Sequence, residues 1–155
     1  ERLVGQGMKN MQRPILIDTD VLVDYLRGYP KAVALIREHS ERIVLPSIVV
    51  AELYAGVRGD EELAALDRFT SLFRVVSIST EIARAGGLYS RDYTKSHGVG
   101  LADAIVAATT DVEGADLKTL NVRHYPMFEG LKPAYTKTAE DQPGVSGDGV
   151  DGRAP

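Results

Sequence analysis

The chain lacks cysteine and tryptophan altogether. The absence of cysteine excludes disulfides, thiolate zinc sites and a cysteine nucleophile. It also suits a reducing compartment, so we expect a cytoplasmic location. No apolar run approaches the ~20 residues that cross a membrane, and residues 1–14 contain no apolar signal-peptide region. We therefore expect no membrane among the partners of this protein.

Positive charge is also scarce: the chain has 18 Lys and Arg residues but 22 Asp and Glu residues, which gives a net charge of −4. A protein that holds nucleic acid by bulk electrostatics is normally basic. A polyanionic ligand would therefore need a local basic patch or bound cations. The remaining composition, with 44% apolar and 26% charged residues among 155, is that of one globular domain with a real core.

Composition divides the chain into three regions. Residues 137–155 are rich in Gly, Pro and Asp and almost free of large apolar residues, which is typical of a disordered tail. We expect an N-terminal extension at 1–13, a single domain at 14–136 and this tail. Within the domain, β-branched apolar runs alternate with helical patterns, which favours an α/β fold with a parallel sheet covered on both faces.

The local patterns give the individual elements of that fold. Strands are predicted at 14–18, 42–46, 74–78 and 115–121, with a short fifth at 131–136. Helices are predicted at 19–28, 30–40, 47–59, 60–73, 79–96 and 101–114. Ser47 is expected to cap the third helix and Gly59 to end it. The two glycines Gly86 and Gly87 should weaken the fifth helix.

Two aspartates follow the first predicted strand, in "ILIDTDVLVD". Asp18 could cap the next helix, and Asp20 could simply interact with the dipole of its first turn. Asn121 ends the fourth predicted strand, where a lone Asn is commonly a turn residue. Asp18 and Asn121 nevertheless hold the same kind of position, and sites in parallel α/β folds lie just beyond the carboxyl ends of strands.

Two further acids stand within apolar helical segments. Glu52 lies in "SIVVAELYAG", where a buried charge would need a cation or a cluster of donors; a narrow solvated face is the alternative. Asp103 lies in "GLADAIVAATT", in the first turn of a helix whose dipole favours a carboxylate. Its neighbours are all small or apolar, so we expect Asp103 to face inward or into a cleft.

Carboxylates that converge in a dry cleft need compensation, because like charges raise each other's pKa. A divalent cation provides it, and hard oxygen ligands suit Mg²⁺ or Mn²⁺. Such an ion can hold a phosphate oxygen, generate hydroxide from its water and stabilise a leaving oxygen. The acidic net charge is then compatible with a polyanionic substrate.

Four segments, in order along residues 14–135, resemble the PIN domain family and specifically its VapC-type toxin ribonucleases. They are "LIDTDVLVDYL", "LPSIVVAELYAGV", "GLADAIVAATT" and "LKTLNVRHYPMFEGL". The resemblance implies a three-layer α/β/α sandwich around a parallel sheet of four to five strands. It also implies hydrolysis of RNA by a water activated by Mg²⁺ or Mn²⁺, a homodimer, and a cognate VapB-like antitoxin that blocks the site.

The resemblance also implies roles for individual residues. Asp18, Glu52 and Asp103 match the acidic triad, in which Asp18 and Asp103 would hold the metal and Glu52 would orient or deprotonate its water. Asn121 stands where many members carry a fourth acid, and it would complete the cluster by hydrogen bonding. Asp20 replaces the more usual Ser or Asn, and would be an extra outer ligand or a helix-capping residue.

Four other residues lie close to these motifs in sequence. Thr19 and Thr119 could bind metal waters or phosphate. Arg123 and His124, in "NVRHYP", could contact RNA phosphates or be solvated loop charges.

Three alternatives to a ribonuclease follow from the same residues. "LIDTDVL" also fits haloacid dehalogenase-like phosphatases, with "GDGVD" at 147–151 as a late acidic motif, but that reading lacks a suitable lysine and leaves Glu52 and Asp103 unexplained. A receiver-like signalling domain needs an aspartate that ends a central strand, and "RIVLP" and "RVVSI" provide none. A catalytically silent PIN binding module would have no chemical reason to retain all three acids.

Overall fold

The computed structural model describes residues 13–138, which fold around one four-stranded parallel sheet. The strands are β1 (Ile15–Ile17), β2 (Ile43–Pro46), β3 (Arg74–Val76) and β4 (Asp116–Lys118). The helices are α1 (Thr19–Leu26), α2 (Pro30–Glu38), α3 (Ser47–Ala55), α4 (Gly59–Thr70), α5 (Thr80–His97) and α6 (Leu101–Glu113). A 3-10 helix follows at Val122–His124. The predicted α/β/α architecture with a parallel sheet is confirmed.

The strand order is β3-β2-β1-β4, so β1 lies in the interior of the sheet. Ile15 pairs with Ile43 of β2 on one side and with Asp116 of β4 on the other. All three residues of β1 are buried, as expected for a parallel strand covered on both faces. Beyond the carboxyl end of β1, the amide of Asp18 donates to the carbonyl oxygen of Lys118 at 2.9 Å. This pairing brings the ends of β1 and β4 together.

The predicted fifth strand at 131–136 does not form. Pro133 has no amide hydrogen to donate to a ladder, and the segment instead makes a backbone hydrogen bond from Ala134 to the carbonyl oxygen of Thr119 at 2.9 Å. The segment thereby packs beside the end of β4 without extending the sheet.

The predicted ends of the third helix were also wrong. Pro46 is the N-cap of α3, and Ser47 is already helical and makes no capping bond. Strand β2 runs directly into α3, so no residue with an extended backbone remains after Pro46. The helix ends before Gly56, whereas Gly59 begins α4 with a φ of +76°, a value that favours glycine.

Helix α5 is continuous despite its two central glycines. A Cβ added at Gly86 would lie 3.0 Å from Cγ1 and 3.3 Å from Cα of Ile105 in α6. Gly86 therefore allows a close approach of α5 to α6, which compensates its poor helix propensity. As its sequence indicates, α5 begins with a side-chain cap, because Oγ of Ser79 accepts from the amide of Ile82 at 3.1 Å.

The C-terminal segment, residues 131–138, packs against the first two helices. Tyr135 donates to Oδ2 of Asp24 at 2.6 Å, and Nζ of Lys137 lies 3.0 Å from Oδ1 of the same carboxylate. The predicted extension (1–13) and tail (137–155) lie outside the described residues except for Arg13, Lys137 and Thr138, so both boundaries stay predictions. No helix in the described range is long and apolar enough to cross a membrane.

Candidate active site

Asp18 lies at the junction between β1 and α1 and is only 5% exposed. It is the N-cap of α1, where Oδ1 accepts from the amide of Thr19 at 2.8 Å. Oδ2 accepts from the hydroxyls of Thr119 at 2.9 Å and Tyr125 at 2.7 Å. One oxygen of Asp18 therefore caps the helix, while the other faces the hydroxyls of Thr119 and Tyr125.

Asp103 comes from the first turn of α6 and approaches Asp18 from the other side of Tyr125. Its Oδ1 lies 3.4 Å from the hydroxyl of Tyr125, and its Oδ2 lies 3.1 Å from Nδ1 of His124. Burial raises the pKa of Asp103, and the negative charge of Asp18 raises it further, while His124 and the Tyr125 hydroxyl lower it. Asp103 is thus partly buried and faces Tyr125 and His124, in line with the inward orientation expected from its sequence context.

Glu52 projects from α3, and Oε1 accepts from the hydroxyl of Thr19 at 3.1 Å. Of the two alternatives for Glu52, the structure favours the solvated face over burial, because the residue is exposed together with its neighbour Ala51. Only Val49 and Leu53 of α3 are buried, so an apolar sequence does not put the whole helix in the core. Partial desolvation nevertheless raises the pKa of Glu52, the Thr19 hydroxyl lowers it, and the charges of Asp18 and Asp103 raise it.

Asp20 connects α1 to the segment that follows β4. Its Oδ1 accepts from the amide of Val21 at 2.8 Å, and its Oδ2 accepts from the amide of Leu120 at 2.9 Å. Burial and the adjacent charge of Asp18 raise the pKa of Asp20 to about 6, although these backbone amides lower it. Both oxygens of Asp20 thus accept hydrogen bonds from backbone amides. The contact with Leu120 was not predicted from the sequence.

Thr119 and Asn121 reach the site along the chain after β4. Thr119 is fully buried, and its hydroxyl donates to Asp18 and accepts from the amide of Asn121 at 3.1 Å. The side chain of Asn121 is exposed and does not cap the 3-10 helix that begins at Val122. The structure therefore brings Asn121 beside the acids through its backbone.

The two basic residues of the 3-10 helix differ in their contacts. His124 pairs with Asp103, whereas Arg123 is exposed and, within residues 13–138, makes no hydrogen bond or ion pair with the acids.

Tyr125 is the residue that sequence reasoning missed. It is 1% exposed, and its hydroxyl lies between the carboxylates of Asp18 and Asp103. Burial, followed by the charges of these two acids, raises the pKa of Tyr125 well above its ordinary value, so the phenol remains a donor. The available signal was a tyrosine in "RHYPMF", since a buried tyrosine usually needs a partner for its hydroxyl.

The donor chemistry of the cluster fits a hard divalent cation. Its oxygen ligands are carboxylates and hydroxyls, which suit Mg²⁺ or Mn²⁺. Asp18 raises the pKa of each neighbouring acid, which indicates uncompensated negative charge. Across the described residues, however, no group of three or more His, Asp or Glu side chains could hold a metal ion as it stands. The chemistry of the donors therefore suits such an ion, although these side chains do not form a complete coordination site in the described part of the chain.

Known proteins are similar to this chain in sequence and in fold. The sequence pattern of the PIN domain family matches residues 15–125. Ribonuclease VapC19 of Mycobacterium tuberculosis is 47% identical over 124 residues, which cover 77% of this chain and 98% of that protein. Ribonuclease VapC10 of the same organism is 42% identical over 124 residues, 78% of this chain and 92% of that protein.

A solved structure gives the same fold. A chain in a toxin-antitoxin complex from Klebsiella pneumoniae superposes with a TM-score of 0.68 at 22% identity, over 78% of this chain and 98% of that chain. At this identity the likeness concerns the fold alone. The family pattern extends over more than half of the sequence and two relatives exceed 40% identity, so the chain belongs to the PIN domain family.

Proposed function

We propose that this protein is a metal-dependent endoribonuclease, the toxin of a type II toxin–antitoxin system. The observation that carries the proposal is the convergence of Asp18 and Asp103 on one buried hydroxyl at the carboxyl edge of the sheet. Two separate elements bring these acids together, and Asp18 is within electrostatic reach of Glu52 as well. The relatives named ribonucleases support RNA as the substrate.

Asp18, Asp103 and Glu52 are the proposed ligands of Mg²⁺ or Mn²⁺. Such an ion would neutralise charge on the phosphate and make a water more acidic. Glu52 is exposed to incoming water, and its raised pKa suits a group that accepts a proton. Hydrolysis would form one P–O bond from the oxygen of the water and break the bond to the leaving oxygen. Glu52 is placed to accept a proton of the water, and the leaving oxygen would take a proton from solvent.

The neighbouring polar side chains would bind the RNA and orient the acids. Asn121 is exposed beside the acids, so its amide can donate to a phosphate oxygen but cannot act as a base. Arg123 can pair with a flanking phosphate, whereas His124 is already engaged by Asp103. Thr19 and Thr119 hold Glu52 and Asp18, respectively.

The proposed partners are RNA, a VapB-like antitoxin and a second copy of this chain. The antitoxin is supported by the fold shared with a chain of the Klebsiella toxin-antitoxin complex, while the homodimer rests on the family resemblance. We further propose that the protein acts in the cytoplasm, which suits a chain without cysteine.

The phosphatase alternative is disfavoured by the surroundings of Asp18. Its carboxylate faces Asp103 across the hydroxyl of Tyr125, and the phosphatase alternative gives Asp103 no role. Its late motif at 147–151 lies outside the described residues.

Cleavage of a mixed small-RNA pool tests the proposal, with Mg²⁺, Mn²⁺ or EDTA present. Asp103→Asn keeps the shape of the side chain and removes its charge, and Asp111→Asn on the same helix is the matched control. We expect cleavage that requires metal, disappears in Asp103→Asn and persists in Asp111→Asn. Metal-dependent cleavage by Asp103→Asn would contradict the assignment of Asp103. Absence of both cleavage and metal binding in the wild type would instead indicate a binding module.

A further inference from the structure

The hydroxyl of Tyr125 is the one group that touches both Asp18 and Asp103 among the described hydrogen bonds. Its oxygen lies 2.7 Å from Oδ2 of Asp18 and 3.4 Å from Oδ1 of Asp103. A phenol carries a single proton, so it makes a full hydrogen bond with one acceptor at a time. The shorter distance identifies Asp18 as that acceptor.

The position of this hydroxyl depends on packing rather than on the acids. The ring of Tyr125 is buried in the core and stacks on Phe128, with centroids 6.3 Å apart and planes 11° apart. The backbone just before it is fixed by the 3-10 helix, in which the amide of Tyr125 donates to the carbonyl oxygen of Val122 at 3.0 Å. A donor on so constrained a ring can define where Oδ2 of Asp18 lies.

We propose that Tyr125 is a positioning residue that fixes the carboxylate of Asp18 beside that of Asp103, so that the two acids can share one divalent cation. The inference rests on the proposed function, since it concerns the same acids. Donors in the shell outside metal ligands fix ligand orientation, and their loss commonly costs about 10- to 100-fold in metal affinity. Tyr125 acts in this way on Asp18, together with the Thr119 hydroxyl that shares Oδ2.

The chain offers a matched control for removal of this hydroxyl. Tyr29 is also buried, at 3% exposure, and its hydroxyl has no hydrogen-bond partner among residues 13–138. Its ring packs against that of Tyr135, with centroids 5.5 Å apart and planes tilted by 33°. Tyr125→Phe and Tyr29→Phe are thus the same chemical change at two buried rings, and only the first removes a bond to a proposed metal ligand.

The decisive measurement is the dissociation constant of Mg²⁺ by isothermal titration calorimetry in the absence of RNA. We expect Tyr125→Phe to weaken binding by about 10- to 100-fold, Tyr29→Phe to leave it unchanged and Asp18→Asn to abolish it. A role confined to folding would shift the melting temperature without this selective loss. Unchanged or tighter binding by folded Tyr125→Phe would overturn the inference while leaving the proposed function intact.

A second measurement needs no variant at position 125. Addition of Mg²⁺ to Tyr29→Phe should perturb the near-ultraviolet absorbance of tyrosine, because the cation would lie beside the phenol of Tyr125. Absence of that difference spectrum at saturating Mg²⁺ would contradict the inference. If the wild type binds neither Mg²⁺ nor Mn²⁺, the metal part of the proposed function fails, and the role of Tyr125 fails with it.

Discussion

Two aspartates at opposite ends of α1 show how differently one side chain can be used. Asp18 at its start and Asp24 near its end are 5% and 7% exposed. Each accepts a hydrogen bond from a tyrosine that lies far away in sequence, Tyr125 at 2.7 Å and Tyr135 at 2.6 Å. Burial and hydrogen bonding alone therefore do not distinguish them.

The difference lies in the source of positive charge. Lys137 places its ammonium 2.8 Å from Oδ2 and 3.0 Å from Oδ1 of Asp24, so the protein itself neutralises that carboxylate. Asp18 accepts only from neutral donors among the described contacts, and its charged neighbours are acids that it repels. A buried carboxylate without a cation is costly. The comparison supports a structural role for Asp24 and is consistent with the proposed role of Asp18 as a metal ligand.

The largest expected effect comes from neutralising Asp18. Asp18→Asn should reduce RNA cleavage by about 1,000-fold or more, since a metal ligand contributes several kcal/mol to the transition state. Asp24→Asn should keep cleavage within about threefold of the wild type, because Asp24 contacts none of the proposed catalytic groups. Initial rates at saturating Mg²⁺ check both variants. Equal losses in the two variants would remove the functional distinction between them.

For the free energy of unfolding, we expect the larger effect from Asp24→Asn and the smaller one from Asp18→Asn. Asp24→Asn leaves Lys137 without its carboxylate, and we expect the free energy of unfolding to fall by about 2 kcal/mol. Asp18→Asn should change it by less than about 1 kcal/mol, because relief of repulsion offsets weaker hydrogen bonds. Urea denaturation in EDTA measures both values. Lys137→Met is the reciprocal control, and an unaltered midpoint in Asp24→Asn would show that the contact with Lys137 contributes nothing.

Local patterns predicted the architecture, and they singled out Asp18 and Asp103, whose side chains both lie beside the hydroxyl of Tyr125. Strand–helix alternation predicted the parallel sheet, and the ends of β1 and β4 brought Asp18 beside residues 119–121 as parallel pairing requires. The short fifth strand failed for a physical reason, because Pro133 cannot donate a hydrogen bond to a neighbouring strand.

The remaining features depend on contacts that local patterns do not encode. Tyr125 meets Asp18 across 107 residues of sequence, and Tyr135 meets Asp24 across 111. Nothing near Asp24 in the sequence distinguishes a partner of Lys137 from a solvated helix residue. The exposure of Glu52 likewise depends on which side of α3 the rest of the protein leaves open. Tertiary packing decided each of these cases.

A moderate effect is expected from the cation itself. Mg²⁺ at ten times its dissociation constant should stabilise the wild type by about 1.4 kcal/mol, which corresponds to a rise in melting temperature of about 3 °C. Asp24→Asn should show the same rise from a lower starting temperature, and Asp18→Asn should show none. Thermal scans with and without EDTA test this. A rise that survives in Asp18→Asn would place the ion elsewhere.

The smallest effect is expected at Asp20, the other acid at the start of α1. Its two oxygens bind the amides of Val21 and Leu120, so it has the backbone-binding character of a structural residue although it adjoins Asp18. Asp20→Asn keeps one acceptor and removes the repulsion by which Asp18 raises the pKa of Asp20 to about 6. The free energy of unfolding should therefore change by less than about 1 kcal/mol.

Calorimetry distinguishes the two roles that the sequence leaves open for Asp20. If Asp20 only connects α1 to the segment after β4, the dissociation constant of Mg²⁺ for Asp20→Asn should lie within about threefold of the wild-type value. Removal of a ligand, or of a donor that supports one, should cause a much larger loss of affinity. Asp20→Ala, which removes both acceptors, should then lower stability more than Asp20→Asn does. Loss of Mg²⁺ binding in Asp20→Asn would instead indicate that Asp20 is a metal ligand. Asp20 would then belong with Asp18 as a functional acid rather than with Asp24 as a structural one.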